Sequence, residues 1–187
     1  MNIEAIWQAQ TQQALFREML EAVARPGTVR DLAHHLEDAN ALRGLLATLM
    51  DGATTLADPH GLVHDADRAL LQAALDMPER ARFVAVDGER APDFQPALGT
   101  LGSPELGATL VIVVDDLSAG SLTLDLTGPG IESVKRLACA GLHPDWIAAR
   151  EEWNADFPLG VDLILVDKTK LAAMPRTTRI NVLAEVH

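Results

Sequence analysis

Two arginines and two threonines stand together near the C-terminus of the sequence, at Arg176, Thr177, Thr178 and Arg179. They end a stretch, beginning at Lys168, that carries four cationic residues and no acid, in a chain whose formal net charge is -12. Guanidinium and hydroxyl groups donate hydrogen bonds to phosphate, phosphonate and carboxylate oxygens. The segment therefore predicts a site for an anionic ligand or for the acidic surface of a partner protein. A solvated terminal tail is the alternative.

A second candidate site is the Thr-Gly-Pro-Gly loop at residues 127–130, whose site residues are Thr127, Gly128 and Gly130. It follows a predicted strand at residues 122–126 and precedes a predicted helix from residue 132 to about residue 140. Glycines between a strand and a helix allow backbone N–H groups to approach a phosphate. The loop lacks the third glycine of a dinucleotide fingerprint and the lysine of a Walker loop. A purely structural turn is the alternative.

Arg25 is a third candidate, placed directly before Pro26 and Gly27. Leu15, Phe16, Met19, Leu20 and Val23 have the spacing of an amphipathic helix, which predicts a helix over residues 10–23. Proline disfavours helix in the residue before it, so the helix is expected to end at this arginine. Arg25 is then either a site residue or a charge that stabilises the carbonyl end of the helix.

The remaining reactive side chains favour structural roles. His60 and His64 are four residues apart, but a Pro-His-Gly turn interrupts the helix that two metal ligands at that spacing need, so no metal site is predicted there. The adjacent His34 and His35 are weaker candidates still. Cys139, the single cysteine, is predicted to be a core thiol. One cysteine allows neither an internal disulfide nor a thiolate-held iron–sulfur cluster built by this chain alone. No catalytic residue is assigned.

Bulk properties predict a single globular domain over residues 1–187. No run approaches the roughly 18 apolar residues of a membrane-spanning helix, and the N-terminal residues do not resemble a secretion signal. We therefore expect a cytoplasmic protein without a membrane partner. The net acidity argues against nucleic-acid binding, which needs a broad face of lysine and arginine.

Periodicity and turn residues predict an α/β protein with a central mixed sheet and helices on both faces. The predicted strands are residues 28–32, 54–57, 82–86, 108–114, 122–126 and 161–166. The predicted helices are residues 10–23, 40–50, 67–75, 132–140 and 144–153, with one further short helix within residues 91–107. Trp7, Trp146 and Trp153 are expected to anchor helical packing.

Four stretches of the sequence, taken in order, resemble one known family. They are Phe16-Arg17 with Arg25-Pro26-Gly27, Gly107-Ala-Thr-Leu with Leu126-Thr-Gly-Pro-Gly-Ile131, Phe157-Pro-Leu-Gly-Val-Asp-Leu-Ile-Leu165, and Met174-Pro-Arg-Thr-Thr178. Their identity, order and spacing resemble PhnH, the H subunits of the bacterial carbon–phosphorus lyase system for phosphonate use. The resemblance covers nearly the whole chain, and its most specific parts are the last two stretches.

The resemblance implies a fold similar to a reduced pyridoxal-phosphate-dependent transferase without the cofactor, and a homodimer that joins the G, I and J subunits. In that system the G, H and I subunits, with the L subunit, attach a phosphonate to the ribose of ATP and release adenine, the alpha-D-ribose 1-methylphosphonate 5-triphosphate synthase reaction. The J subunit then cleaves the carbon–phosphorus bond. ATP and phosphonate are therefore substrates of the complex. Arg176, Thr177 and Thr178 are the matching candidates for a ligand or interface role.

Two functional hypotheses follow from the sequence. The first is a subunit of that transferase complex with no complete active site of its own. The alternative is a free-standing transferase acting on a phosphorylated small molecule, which Arg176, Thr177, Thr178 and the 127–130 loop would hold by its phosphate. A pyridoxal phosphate enzyme is a more distant third hypothesis. It stays open because Lys168 and Lys170 are available in the sequence as lysines that could bind the cofactor. The apolar residues Leu42, Leu45, Leu46 and Leu49 fit either a partner surface or ordinary core packing.

Overall fold

The computed structural model describes residues 3–183, which form helices and strands in alternation. After a short 3-10 helix, Ala5–Trp7, the helices are α1 Ala9–Ala24, α2 Ala33–Leu36, α3 Ala41–Leu49, α4 Asp65–Leu71 and α5 Asp145–Trp153. The strands are β1 Arg30–Asp31, β2 Thr55–Ala57, β3 Ala74–Leu75, β4 Phe83–Asp87, β5 Leu98–Thr100, β6 Ser103–Gly107, β7 Thr109–Val113, β8 Leu122–Thr127, β9 Lys135–Cys139, β10 Asp162–Val166, β11 Lys170–Met174 and β12 Arg179–Leu183.

A seven-stranded mixed sheet in the order β1-β11-β10-β7-β4-β2-β3 forms the centre of the protein. Strands β10, β7, β4, β2 and β3 run parallel to one another. At one edge β11 pairs antiparallel with β10, and β1 pairs antiparallel with β11. Strand β7 lies in the middle because it is apolar on both faces. Val111 packs into one core and Leu110 and Ile112 pack into the other.

The first face of this sheet is covered by α1 to α4. Helix α1 buries Leu15 and Met19, which confirms the helical pattern, and it ends at Arg25 as predicted. Helix α3 begins after Asn40, whose side-chain oxygen accepts a hydrogen bond from the backbone N–H of Arg43 at 2.9 Å. Because α3 turns its leucines toward the sheet, this helix contributes to the core.

The second face is covered by α5 together with a three-stranded antiparallel sheet in the order β12-β8-β9. Trp146 and Trp153 of α5 are buried and contact Phe94, with ring centroids 6.0 and 6.5 Å from the Phe94 ring. Both tryptophans therefore anchor the packing of α5, as predicted, and Trp7 is partly buried against the first core. The mixed α/β class is confirmed, but a small sheet shares the second face with a single helix.

The predicted helix at residues 132–140 is wrong, since β9 occupies this stretch. Leu137 and Cys139 pair with Leu124 and Leu122 of β8 and are buried, while the residues between and before them face outward or are half-buried. Val134, Leu137 and Ala138 have the i, i+3, i+4 spacing of a helix, and this spacing is why the sequence pattern predicts one. The strand forms because β8 offers an apolar partner with matching alternation.

Two shorter predictions also need correction. Residues 91–107 contain no helix, and their second half forms the β5–β6 hairpin. The predicted helix over residues 67–75 begins at Asp65 and ends at Leu71, because Gln72 adopts a left-handed conformation. The following Ala74–Leu75 is an edge strand, so Leu75 is exposed rather than part of a helical apolar face. Within residues 3–183, no helix is both long and apolar enough to cross a membrane.

Candidate functional site

The chain segment between β11 and β12 carries the predicted site residues Arg176, Thr177 and Thr178 and lies against α5. Thr178 N–H donates to the carbonyl oxygen of Pro175 at 2.8 Å, which closes a tight turn over residues 175–178. Within this turn Thr177 is exposed and Thr178 is buried, with only 2% of its surface accessible. The two threonines, adjacent in sequence, therefore have opposite environments.

Arg176 is largely engaged in holding the fold together. Its Nη2 donates to Oδ2 of Asp162 at 2.8 Å, and its backbone N–H donates to Oδ1 of the same carboxylate at 2.7 Å. Its Nη1 donates to the carbonyl oxygens of Pro104 and Pro158 at 2.9 and 3.1 Å. The guanidinium joins the β5–β6 hairpin, the loop before β10 and the start of β10, and its charge is balanced by Asp162.

Arg179 is exposed at the start of β12, and no carboxylate among residues 3–183 forms an ion pair with it. Its strand partner on β8 is Thr127, a residue of the second candidate site. The fold therefore places the 127–130 loop beside the turn at residues 175–178. The cationic segment and the 127–130 loop, two of the three candidates from the sequence, therefore lie together where β8 ends and β12 begins.

The 127–130 loop connects β8 to β9 and is followed by a strand, so the helix end expected to support an anion is absent. Its glycines allow close backbone contacts instead. A Cβ on Gly128, at φ +130°, would lie 2.9 Å from the carbonyl oxygen of Thr177. A Cβ on Gly130, at φ +82°, would overlap the carbonyl oxygen of Ala24. The loop is thus a structural turn wedged between the end of α1 and the 175–178 turn.

Arg25 completes the group, because the turn that follows it lies against Gly130. Its side chain is exposed and pairs with Glu21 at 3.2 Å, one helical turn earlier on α1. This contact matches the helix-end interpretation of the residue. Within residues 3–183 no hydrogen bond or ion pair joins the Arg25 side chain to Arg176, Thr178 or Arg179.

Arg150, on α5, is the residue of this region that sequence reasoning missed. It is only 4% exposed, and its Nη2 donates to the carbonyl oxygens of Pro175 and Thr178 at 2.7 and 2.9 Å. Burial lowers the pKa of its guanidinium to about 10. A signal was present in the sequence, since Arg150 shares the i, i+4, i+7 face of α5 with Trp146 and Trp153.

Together these residues line a cleft between α5 and the start of β12, with a volume of about 470 Å³. We call it the α5–β12 cleft; its lining comprises Ile147, Arg150, Glu151, Asn154, Ala155, Arg176, Thr178, Arg179 and Ile180. The charge of Arg176 is balanced by Asp162, so Arg150 and Arg179 against Glu151 leave the lining with an excess of one positive charge in an otherwise acidic protein. Such a cleft suits recognition of an anion.

The other candidate groups have structural partners. His60 Nδ1 accepts a hydrogen bond from the backbone N–H of Asp87 at 2.9 Å, and residues 3–183 hold no cluster of three or more potential metal ligands. Cys139 is fully buried, and burial raises its pKa to about 11, in line with a core thiol. Lys170 Nζ donates to Ser118 Oγ at 2.5 Å and lies 3.5 Å from Asp116 Oδ1, whereas Lys168 is exposed.

The sequence is similar to proteins of bacterial phosphonate metabolism. The family model described as bacterial phosphonate metabolism protein (PhnH) matches residues 4–181. A putative C-P lyase subunit protein, HtxG, of Stutzerimonas stutzeri is 47% identical over 178 residues, which are 95% of this chain and 89% of that protein. The alpha-D-ribose 1-methylphosphonate 5-triphosphate synthase subunit PhnH of Rhizobium meliloti (strain 1021) is 30% identical over 185 residues, 90% of each chain. The chain therefore belongs to the PhnH family of bacterial phosphonate metabolism proteins.

Proposed function

We propose that this chain is a subunit of a carbon–phosphorus lyase system and supports the transfer of a phosphonate onto the ribose of ATP with release of adenine. The main support is sequence similarity. Two relatives that match nearly the whole chain are named as subunits, one of a C-P lyase and one of the triphosphate synthase. The cationic α5–β12 cleft is compatible with a role beside phosphorylated substrates. ATP and a phosphonate are the proposed substrates of the complex.

We propose that the subunit works without pyridoxal phosphate, although its fold is expected to be related to that of pyridoxal-phosphate-dependent transferases. The contacts of Lys170 with Ser118, Asp116 and Asp167 support this view, because an engaged ammonium group is a poor Schiff-base nucleophile. Incubation with pyridoxal phosphate should leave the protein without a cofactor absorbance band. A stable band abolished by Lys170→Met or Lys168→Met would contradict the proposal.

The proposed partners are a second copy of the chain and the G, I and J subunits, in the cytoplasm. Leu42, Leu45 and Leu46 are buried in the core, so they do not supply a partner surface. Helix α1 instead exposes Phe16, Leu20 and Val23, at 45, 52 and 45%. Their i, i+4, i+7 spacing forms one apolar stripe.

We propose that this α1 stripe packs against the same stripe of a second copy. A single row of apolar residues is self-complementary when two helices pack in a symmetric dimer. Exposed ion pairs contribute only about 0–1 kcal/mol each, so a stable contact has to rest mainly on apolar area of this kind.

An assay of adenine release from ATP and methylphosphonate tests the proposed role. The isolated chain should show no turnover, whereas a mixture with the G, I and L subunits should release adenine, and omission of this chain should abolish that activity. Robust turnover by the isolated chain would instead support the free-standing transferase. Full activity of the other subunits without this chain would contradict a role in the transfer step.

A further inference from the structure

The α5–β12 cleft is lined by Arg150, a buried cation that forms no ion pair with any carboxylate among residues 3–183. Arg150 uses Nη2 on two backbone carbonyl oxygens, and its Nε is buried without a hydrogen-bond partner among residues 3–183. Glu151 and Asp162 attract it electrostatically but form no ion pair with it. Buried arginines are normally paired with an acid, because removal of a charge from water is costly. This one therefore retains unused capacity to bind an anion.

A second unused donor lies beside it. The Thr178 Oγ1 atom is buried and has no hydrogen-bond partner within the described part of the chain. The Thr178 carbonyl oxygen accepts a hydrogen bond from Arg150 Nη2, so the guanidinium on α5 is bonded directly to the turn that carries the hydroxyl. Buried polar atoms are satisfied in the large majority of cases. Arg150 and Thr178 both line the α5–β12 cleft and are joined by this hydrogen bond, so two buried donors without an acceptor among residues 3–183 lie in one wall of the cleft. An anion bound in the cleft would supply acceptors for them.

The remaining charges of the cleft are consistent with an anionic acceptor. The charge of Arg176 is balanced by Asp162. Arg179 stands exposed on the lining and adds a positive charge, and Glu151 is the single acid of the lining. With Arg150 and Arg179 set against Glu151, the lining keeps an excess of one positive charge once the Arg176–Asp162 pair is set aside. The cleft volume of about 470 Å³ is larger than a phosphate group requires.

We propose that Arg150 and Thr178 bind the oxyanion of a phosphate or phosphonate group in the α5–β12 cleft, with Arg179 attracting it from the exposed lining. The Nε–H of Arg150 and the hydroxyl of Thr178 each donate to one of its oxygens. Since both atoms are shielded from solvent, binding includes a small displacement of the 175–178 turn. The proposal rests on the proposed function only in its choice of methylphosphonate as a probe.

Calorimetric titration of the full chain with inorganic phosphate, methylphosphonate and, as a larger probe, tripolyphosphate tests this site. Saturable binding is expected with each, and comparison of the first two distinguishes phosphate from phosphonate. Thr178→Val replaces the unsatisfied hydroxyl by a methyl group of similar size, so the thermal midpoint should be retained while affinity falls about tenfold. Arg179→Gln should weaken binding several-fold and reduce its dependence on salt.

Arg80→Gln is the matched control, because it removes an exposed arginine remote from the cleft lining. Its affinity should equal that of the unaltered chain. Absence of saturable binding up to about 10 mM of every probe would overturn the site. Unchanged affinity in both Thr178→Val and Arg179→Gln would overturn it as well. These binding results are independent of complex formation, so failure of the site and failure of the proposed function are distinguishable.

Discussion

The Arg176 guanidinium forms a two-point contact with Asp162, with Nη2 at 2.8 Å from Oδ2 and Nε at 3.4 Å from Oδ1. The same guanidinium also holds two carbonyl oxygens from other segments. Arg176, a candidate ligand-binding residue from the sequence, therefore acts mainly as a clamp between three parts of the fold. In our proposal, Arg150, Thr178 and Arg179 recognise the ligand instead.

Loss of the clamp should destabilise the protein. Arg176→Gln removes an ion pair and two carbonyl contacts at a side chain that is only 13% exposed, and it leaves Asp162 without its partner. We expect a loss of about 2–4 kcal/mol in the free energy of unfolding, measured by urea denaturation.

The control for the clamp is Arg179→Gln, which removes the same charge from an exposed position three residues away. It should change stability by less than about 0.5 kcal/mol. Equal stability of the two variants would contradict the assignment of Arg176 as a clamp.

The 127–130 loop should be sensitive to any side chain at Gly130. Gly130→Ala combines a positive φ of 82° with overlap against the carbonyl oxygen of Ala24, so a loss of about 2–3 kcal/mol is expected. Gly52→Ala is the matched control, because a Cβ there meets nothing within 4 Å. Urea denaturation of both variants checks the difference, and equal stabilities would exclude close packing as the reason for the glycine.

Cys139 should make stability fall in alkaline solution. Burial raises its pKa from 9.0 to about 11, so the folded state retains a proton that the unfolded state loses between these two pH values. The contribution is fully present well below pH 9 and should decline by about 2 kcal/mol as the pH rises from 9 to 11. Arg150, whose pKa is lowered, titrates in the opposite sense, so the measurement is the difference between the unaltered chain and Cys139→Ala. A pH-independent difference would be inconsistent with a buried neutral thiol.

The apolar stripe of α1 should determine the oligomeric state. The unaltered chain is expected to have twice the 20.1 kDa mass of one chain in solution. Leu20→Glu should convert it to a monomer, because a charge at the middle of the stripe cannot be buried without a partner. Leu101→Glu, at the exposed tip of the β5–β6 hairpin, is the control and should remain a dimer. A dimeric Leu20→Glu variant would place the contact elsewhere.

Much of the large sheet was predictable because its strands have local signatures. Strands β7 and β10 are short apolar runs, and α1 and α3 show clear helical periodicity with recognisable ends. Strand β9 was not predictable, since its conformation depends on pairing with β8 across a loop. Tertiary pairing overrode the local helical spacing there.

The location of the site was predictable from the sequence, but the roles of its individual residues were not. The cationic segment does line a cleft, yet the partner of Arg176 is Asp162, and their contact across 14 residues leaves no periodic signal in the sequence. Arginine is mostly exposed in proteins, so the residue type alone does not predict that Arg150 is buried. Its burial follows from the spacing of Trp146 and Trp153.

We propose that this chain works as a component of a multi-subunit assembly. The most direct test is purification of the tagged chain from cells that also express the G, I and J subunits, followed by mass determination of the eluted species. A stable complex that contains this chain and other subunits is expected. Elution of the chain alone or only as a dimer, under conditions in which G, I and J are expressed and soluble, would contradict it.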